Sequence, residues 1–391
     1  MKTINYFIRI ISDYINNRET DIPKESIDWD KLIRVFKKHE MSNVLYYQCK
    51  NFIHEKGNNE LKKMNASAIY YYSNRIWLES RIRKTLDDKK INYFFIKGSA
   101  LAEFYQNPSD RTMGDTDIVI HTEDREKVDE ILISLGVKNI HRIEIGDWQY
   151  HFNNMEIELH DHLIYKIQND DRYYDFFNNC WEYEKNGVLD WNFHFLFILY
   201  HIRKHFMNQG VGFRHFVDVA VLTKHNKMLD WAWIKNKLIE IDLWEFAQRV
   251  FFLNKQWFGI TTPLDIPHYD RGFLQQATRL IFHNGVFGYD NSDNNGNFAI
   301  NSINKSNKQG YGIRRLVSLL FPGYEIMSKL DYCKFINGHR WMLPIAWACR
   351  GMRAIKHKRL LRALKGAVSS SFVSKNKVKE RTKILEDWGL R

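Results

Sequence analysis

Residues 111–120 read Arg-Thr-Met-Gly-Asp-Thr-Asp-Ile-Val-Ile. The β-branched and apolar run from Thr116 to His121 predicts a strand. Asp115 and Asp117 stand at its start, and the strand period of two puts both carboxylates on one face. Carboxylates held side by side repel unless a cation lies between them. Mg²⁺ takes hard oxygen ligands, commonly one or two carboxylates with substrate phosphates. The pair is therefore the expected metal-binding element, with Mg²⁺ as the expected cofactor.

Upstream, Asn92-Tyr93-Phe94-Phe95-Ile96 reads as a short buried strand bounded by Gly98. It runs into Lys97-Gly98-Ser99 and a short helix from Ser99 to Tyr105. Backbone N–H groups at such a helix start suit a triphosphate, glycine permits close approach, and Ser99 adds a hydroxyl. Downstream, strands are expected near Tyr150 to Asn153 and Met155 to His160, with Asn153-Asn154 as the hairpin turn. The alternation Met155-Glu156-Ile157-Glu158-Leu159-His160 puts Glu156, Glu158 and His160 on one face. Either glutamate can complete a three-acid site. Between these strands, Glu123 to Leu135 is an expected helix, with Thr122 as N-cap and Gly136 just past its end.

The segments FIKGSALAEFY, RTMGDTDIVI and IELHDHL resemble the DNA polymerase β nucleotidyltransferase superfamily, and within it the bacterial uncharacterised nucleotidyltransferases. Lys97, Gly98, Arg111, Gly114, Asp115, Asp117, Glu158 and His160 match the positions that carry this resemblance. Thr116 replaces the family's apolar residue, and the gap from Ser99 to Asp115 is slightly long. The likeness is specific over residues 92–162 and weaker at Leu199 to His205 and Arg214 to Asp218.

The resemblance implies an enzyme in which Asp115, Asp117 and Glu158 are the catalytic, metal-binding acids. Lys97, Gly98, Ser99 and Arg111 would bind the nucleotide, although Arg111 can instead brace the aspartate loop. The implied reaction moves a nucleoside monophosphate, AMP from ATP, to a hydroxyl of an acceptor and releases pyrophosphate. His160, His201, His205 and Asp218 are acceptor contacts or structural residues. His201 and His205 share a helix face, but Arg203 and Lys204 between them oppose a divalent ion. Asp218 is expected to pair with Arg214 or a neighbouring histidine. The alternative is a non-catalytic nucleotide-sensing or nucleic-acid-binding module.

The implied fold class is α+β: a small mixed β-sheet flanked by helices, with helical N- and C-terminal parts. Residues 1–88 form the helical N-terminal part, 89–165 the nucleotidyltransferase core, 166–350 the helical C-terminal part and 351–391 a basic tail. Ile4, Ile8, Ile11 and Ile15 mark one helical face. A long helix is expected from Glu60 to Asp87, and further helices over Asn192 to Phe206 and Arg214 to Lys224. Asp290 to Gly312, rich in Asn, Ser and Gly, reads as a loop.

A hydrophobic content of 44% excludes a disordered chain. The single, scattered cysteines Cys49, Cys180, Cys333 and Cys349 argue against a disulfide framework or zinc ribbon and for a cytoplasmic setting. No signal peptide or transmembrane segment is expected. From Arg350 onward there are thirteen Lys/Arg and three Asp/Glu, which accounts for most of the net charge of +12. With apolar Met352, Ile355, Leu360, Leu361 and Leu364 interleaved, the tail is a candidate contact for an anionic membrane surface or nucleic acid.

Overall fold

The apolar spacing at the N-terminus builds a helical layer. Helix α1 (Lys2–Ile15) buries Phe7, Ile10, Ile11, Tyr14 and Ile15, whereas Ile4 and Ile8 of the expected face are only partly buried, and α2 (Trp29–Lys38) buries Leu32, Ile33 and Phe36. Asp28 caps α2 by accepting from Lys31 N. Helix α3 (Ser42–Cys49) precedes α4 (Glu55–Asp88), in which Leu78, Ile82 and Leu86 recur every four residues. That stripe lies against the central sheet. This computed structural model describes residues 2–21, 27–142, 146–165, 171–208, 210–285, 321–328, 330–356 and 375–390. The chain divides into two compact units, Met1–Lys204 with Val211–Phe287 and His205–Gly210 with Gly288–Arg391.

In the first unit the chain continues through β1 (Tyr93–Ile96), α5 (Gly98–Leu101), β2 (Asp115–Ile120), α6 (Arg125–Ser134), β3 (Lys138–His141), β4 (Trp148–Phe152) and β5 (Met155–His160). The strand order is β1-β2-β5-β4-β3, with β2 and β5 parallel and the other pairs antiparallel. The class is thus α+β with a small mixed sheet flanked by helices. Asn153, with φ of 53°, and Asn154 make the tight turn between β4 and β5. One face of the sheet buries Tyr93, Phe95, Ile118, Ile120, Tyr150, Ile157 and Leu159 against α4 and α6. The opposite face carries Asp117, Glu158 and His160 together with the fully buried Phe94, Ile96 and Val119.

Two local expectations change. Thr122 does not cap α6: residues Thr122–Asp124 form a 3-10 turn, and Asp124 occupies the cap position without a side-chain bond. Gly136 does follow the helix, with φ of 87°. Strand β3 was not foreseen, because Lys138-Asn139-Ile140-His141 lacks alternation and lies at the sheet edge.

Helix α7 (Asp171–Asn178), the β6 (Glu184–Lys185) and β7 (Val188–Leu189) hairpin, and α8 (Trp191–Asn208) follow. Helices α9 (Phe213–Lys224), α10 (Trp231–Glu240), α11 (Trp244–Phe258) and α12 (Arg271–Asn284) complete the series. Phe193 to Tyr200 is a buried segment of α8, as its composition suggests.

The second unit contains α13 (Tyr324–Met327), α14 (Leu343–Lys356) and α15 (Lys375–Asp387). Met327, Cys333, Ile336 and Ala346 form a small core. Arg381, from the basic tail, is buried and donates to the carbonyls of Phe206 and Met207. Trp388 packs on Phe206 at 4.4 Å between ring centroids. The Asp290 to Gly312 loop and Leu360, Leu361 and Leu364 lie outside the described residues. Among the described residues no helix is long and apolar enough to cross a membrane, and the four cysteines are free.

Candidate active site

The parallel pairing of β2 with β5 sets Asp115 opposite Glu156 and Asp117 opposite Glu158. Ile118, Ile157 and Leu159 fill the core, so these acids project from the other face. Asp117 is buried, Glu158 is partly buried and Glu156 is exposed. Ligating atoms of Asp117, Glu158 and His160 all lie within 4.8 Å of one another. Asp115 is partly buried at the strand start.

The charges interlock. Lys97 Nζ is 2.5 Å from Asp117 Oδ1, and His160 Nε2 is 2.8 Å from the same oxygen. His160 Nδ1 stands 2.5 Å from Asp147 Oδ1, and its Nε2 is 3.8 Å from Glu158 Oε2. Burial alone would raise the Asp117 carboxyl, but Lys97 and His160 hold it well below the usual range. Burial opposes the charge on Lys97, and Asp117 and Asp115 outweigh it and raise its pKa. Burial likewise disfavours charged His160, yet hydrogen bonding to Asp117 and then Asp147 pushes it up to about 9. Glu158 is raised by burial and by the charge on Asp117.

Several side chains hold this cluster in place. Lys97 has φ of 53°, a left-handed value that a residue with a Cβ adopts reluctantly. Its backbone N donates to His194 Nε2 at 3.0 Å. Burial drives the His194 pKa down to about 3, so the ring is neutral and can accept. A Cβ on Gly98 would stand 2.6 Å from Met113 Sδ, so a larger residue there would have to displace the Met113 side chain. Ser99 Oγ donates to Glu79 Oε1 at 2.7 Å and so already serves α4. Arg75, one turn earlier on α4, donates to the Asp115 carbonyl at 2.6 Å and to the Met113 carbonyl at 3.2 Å.

Arg111 is turned to Asp218. Its Nε and Nη2 donate to the two carboxylate oxygens at 2.7 and 2.9 Å, and Tyr105 donates to Oδ1 at 2.6 Å. Asp218 thus pairs with Arg111 and Tyr105, not with Arg214, which binds Glu40 and the Thr112 carbonyl. Arg214 sits one helical turn from Asp218, but a buried partner on another element takes the carboxylate.

His201 rests against His215 and Phe197, with ring centroids 6.3 and 6.4 Å apart. His205 falls in the second compact unit. Lys204 lies close enough to the cluster for burial and the charge of Lys97 to lower its pKa, against Asp147, Glu158 and Asp117. Beside the aspartate loop a cavity of about 230 Å³ is lined by Tyr71, Tyr72, Arg75, Met113 and Gly114 among others. Sequence reasoning missed Arg75, Glu79, Asp147 and His194. The four-residue spacing of Arg75 and Glu79 inside an otherwise apolar helix face was the one signal available for two of them.

No curated protein and no solved structure matches this chain. A family model described as uncharacterised nucleotidyltransferase matches residues 25–259, more than half the chain, and spans the whole Asp115–Asp117–Glu158–His160 constellation. The chain belongs to this uncharacterised nucleotidyltransferase family, within the polymerase β superfamily.

Proposed function

We propose that this protein transfers a nucleoside monophosphate from a nucleoside triphosphate, with ATP as the expected donor, to a hydroxyl group and releases pyrophosphate. The observation that carries the reading is the register of β2 against β5, which gathers Asp115, Asp117 and Glu158 on one face. Carboxylate oxygens are the donor set that Mg²⁺ prefers, and these three residues would hold it. When bound, the metal supplies charge stabilisation for the attacking and leaving oxygens.

The remaining roles belong to the chain. Glu158, partly buried and raised in pKa, is suited to take the proton of the acceptor hydroxyl. Lys97 and Lys204 supply positive charge beside the acids, where the phosphates of the donor would lie. Gly98, at the start of α5, lets the Met113 side chain lie close beside Lys97. Arg111 is better read as a brace than a phosphate contact, because Asp218 holds two of its nitrogens. The cavity by Tyr71 and Tyr72 offers aromatic walls for a flat ring of donor or acceptor.

The test is incubation with α-labelled ATP, Mg²⁺ and cell extract as the source of acceptor. Label should pass to an acceptor, with stoichiometric pyrophosphate, in the wild type and not in Asp115→Asn. Nucleotide binding without pyrophosphate release or label transfer would reject the enzyme and favour the nucleotide-sensing module.

For the basic C-terminal part we propose peripheral docking to an anionic membrane surface. Trp341, Ile345 and Met352 are exposed around α14, and Arg340 and Arg350 are near them in sequence. Sedimentation with anionic vesicles, weakening as salt is raised, is expected. Binding to neutral vesicles alone would refute it.

A further inference from the structure

We infer that His160 is itself a metal ligand, so that Asp117, Glu158 and His160 form a mixed oxygen and nitrogen site that takes Mn²⁺ in preference to Mg²⁺. This rests on the nucleotidyltransferase reading and goes beyond its all-carboxylate metal set.

Three observations carry it. The first is spacing. In an octahedral site with bonds near 2.1 Å, neighbouring ligand atoms stand about 3 Å apart and opposite ones about 4.2 Å. His160 Nε2 is 2.8 Å from Asp117 Oδ1 and 3.8 Å from Glu158 Oε2. The three groups fall within 4.8 Å of one another. One cation can therefore reach all three with little side-chain movement.

The second is the residue behind the ring. Asp147 Oδ1 lies 2.5 Å from His160 Nδ1. A carboxylate beside Nδ1 would favour a proton there and leave Nε2, which faces Asp117 and Glu158, to a metal, the arrangement that supports metal-bound histidines. Asp147 comes from the segment before β4, whereas His160 ends β5. The ring is thus oriented by an element independent of the acids it faces.

The third is that the position demands positive charge. The Asp117 oxygen that faces His160 also takes the Lys97 ammonium. A divalent ion held between Asp117, Glu158 and His160 would add to the positive charge that Lys97 already brings to Asp117. Imidazole nitrogen is a softer donor than carboxylate oxygen, and it suits transition ions while Mg²⁺ favours oxygen.

The experiment uses the full-length protein with Mn²⁺ as the probe. Electron paramagnetic resonance titration gives affinity, and spin-echo modulation detects nitrogen bound to the ion. The wild type is expected to show nitrogen modulation and to prefer Mn²⁺ over Mg²⁺ in competition. His160→Gln should lose the modulation and bind Mn²⁺ at least about tenfold more weakly, and Asp147→Asn should keep the modulation with affinity about 10–100-fold lower. Should His160→Gln not fold, the wild-type modulation and Asp147→Asn still decide. Mn²⁺ bound to the wild type with no nitrogen modulation overturns the inference and leaves the carboxylate site standing. Failure to bind either ion, with or without ATP, overturns both this inference and the functional reading beneath it.

Discussion

Arg111 and Asp218 form a bidentate buried pair, Nε to Oδ1 at 2.7 Å and Nη2 to Oδ2 at 2.9 Å, across 107 residues of chain. The pair ties the segment before Asp115 and Asp117 to α9. Removing one partner strands the other charge in the interior, which costs about 3–5 kcal/mol. Asp218→Ala should therefore lose about that much stability in urea unfolding. A double variant, Arg111→Met with Asp218→Leu, should be less damaged than the sum of its single changes. Additive losses would show that the two side chains do not depend on each other.

Asp115→Asn and Asp117→Asn should each lower nucleotidyl transfer by at least about 10²-fold, the scale of removing one electrostatic stabiliser from an active site. Circular dichroism should remain that of the wild type, since size is preserved. Glu158→Gln should reduce kcat more than it weakens nucleotide binding, and Glu156→Gln should have little effect, because Glu156 is exposed and outside the cluster. A larger effect from Glu156 would reassign the third acid.

His160 makes metal-free stability depend on pH. Its folded pKa of about 9 lies above the ordinary value of 6.5. Its contribution is fully present below pH 6.5 and is lost as pH rises through about 9. In chelator, the unfolding midpoint of the wild type should fall toward that of His160→Gln over this window. Parallel pH curves for the two proteins would refute the assignment.

Gly98→Ala should push Met113 out of place, because the new Cβ would lie 2.6 Å from Sδ and 2.8 Å from Cγ. Overpacking of this kind costs about 1–3 kcal/mol. Adding Met113→Ala should recover most of the stability. If the second change brings no recovery, the strain lies in the Gly98 backbone and not in this contact.

Trp388 is 1% exposed and packs on Phe206, and Arg381 binds the carbonyls at the end of α8. The last helix is thus part of the second unit's packing and not a solvated tail. Trp388→Ala should destabilise that unit by about 3–5 kcal/mol, read by limited proteolysis and thermal unfolding. Unchanged protease resistance would return the terminal helix to the role of a loose docking arm.

The sequence by itself determined the acids and their face. Period-two alternation in Asp115-Thr116-Asp117 and Glu156-Ile157-Glu158 needs no partner to be read, and the side-chain direction follows from backbone geometry alone. What only the tertiary structure decided is which groups face those acids. Parallel register selected Glu158 as the neighbour of Asp117, and a one-residue slip would have turned the whole face over. Arg75 and Glu79 lie on a helix before the sheet, Asp147 on the segment before another strand, and His194 on a helix after it. Local spacing favoured Arg214 as the partner of Asp218, yet burial gave that carboxylate to Arg111. Such pairings depend on long-range packing, where a buried charge must find a partner in three dimensions, and that distance is not written in chain order.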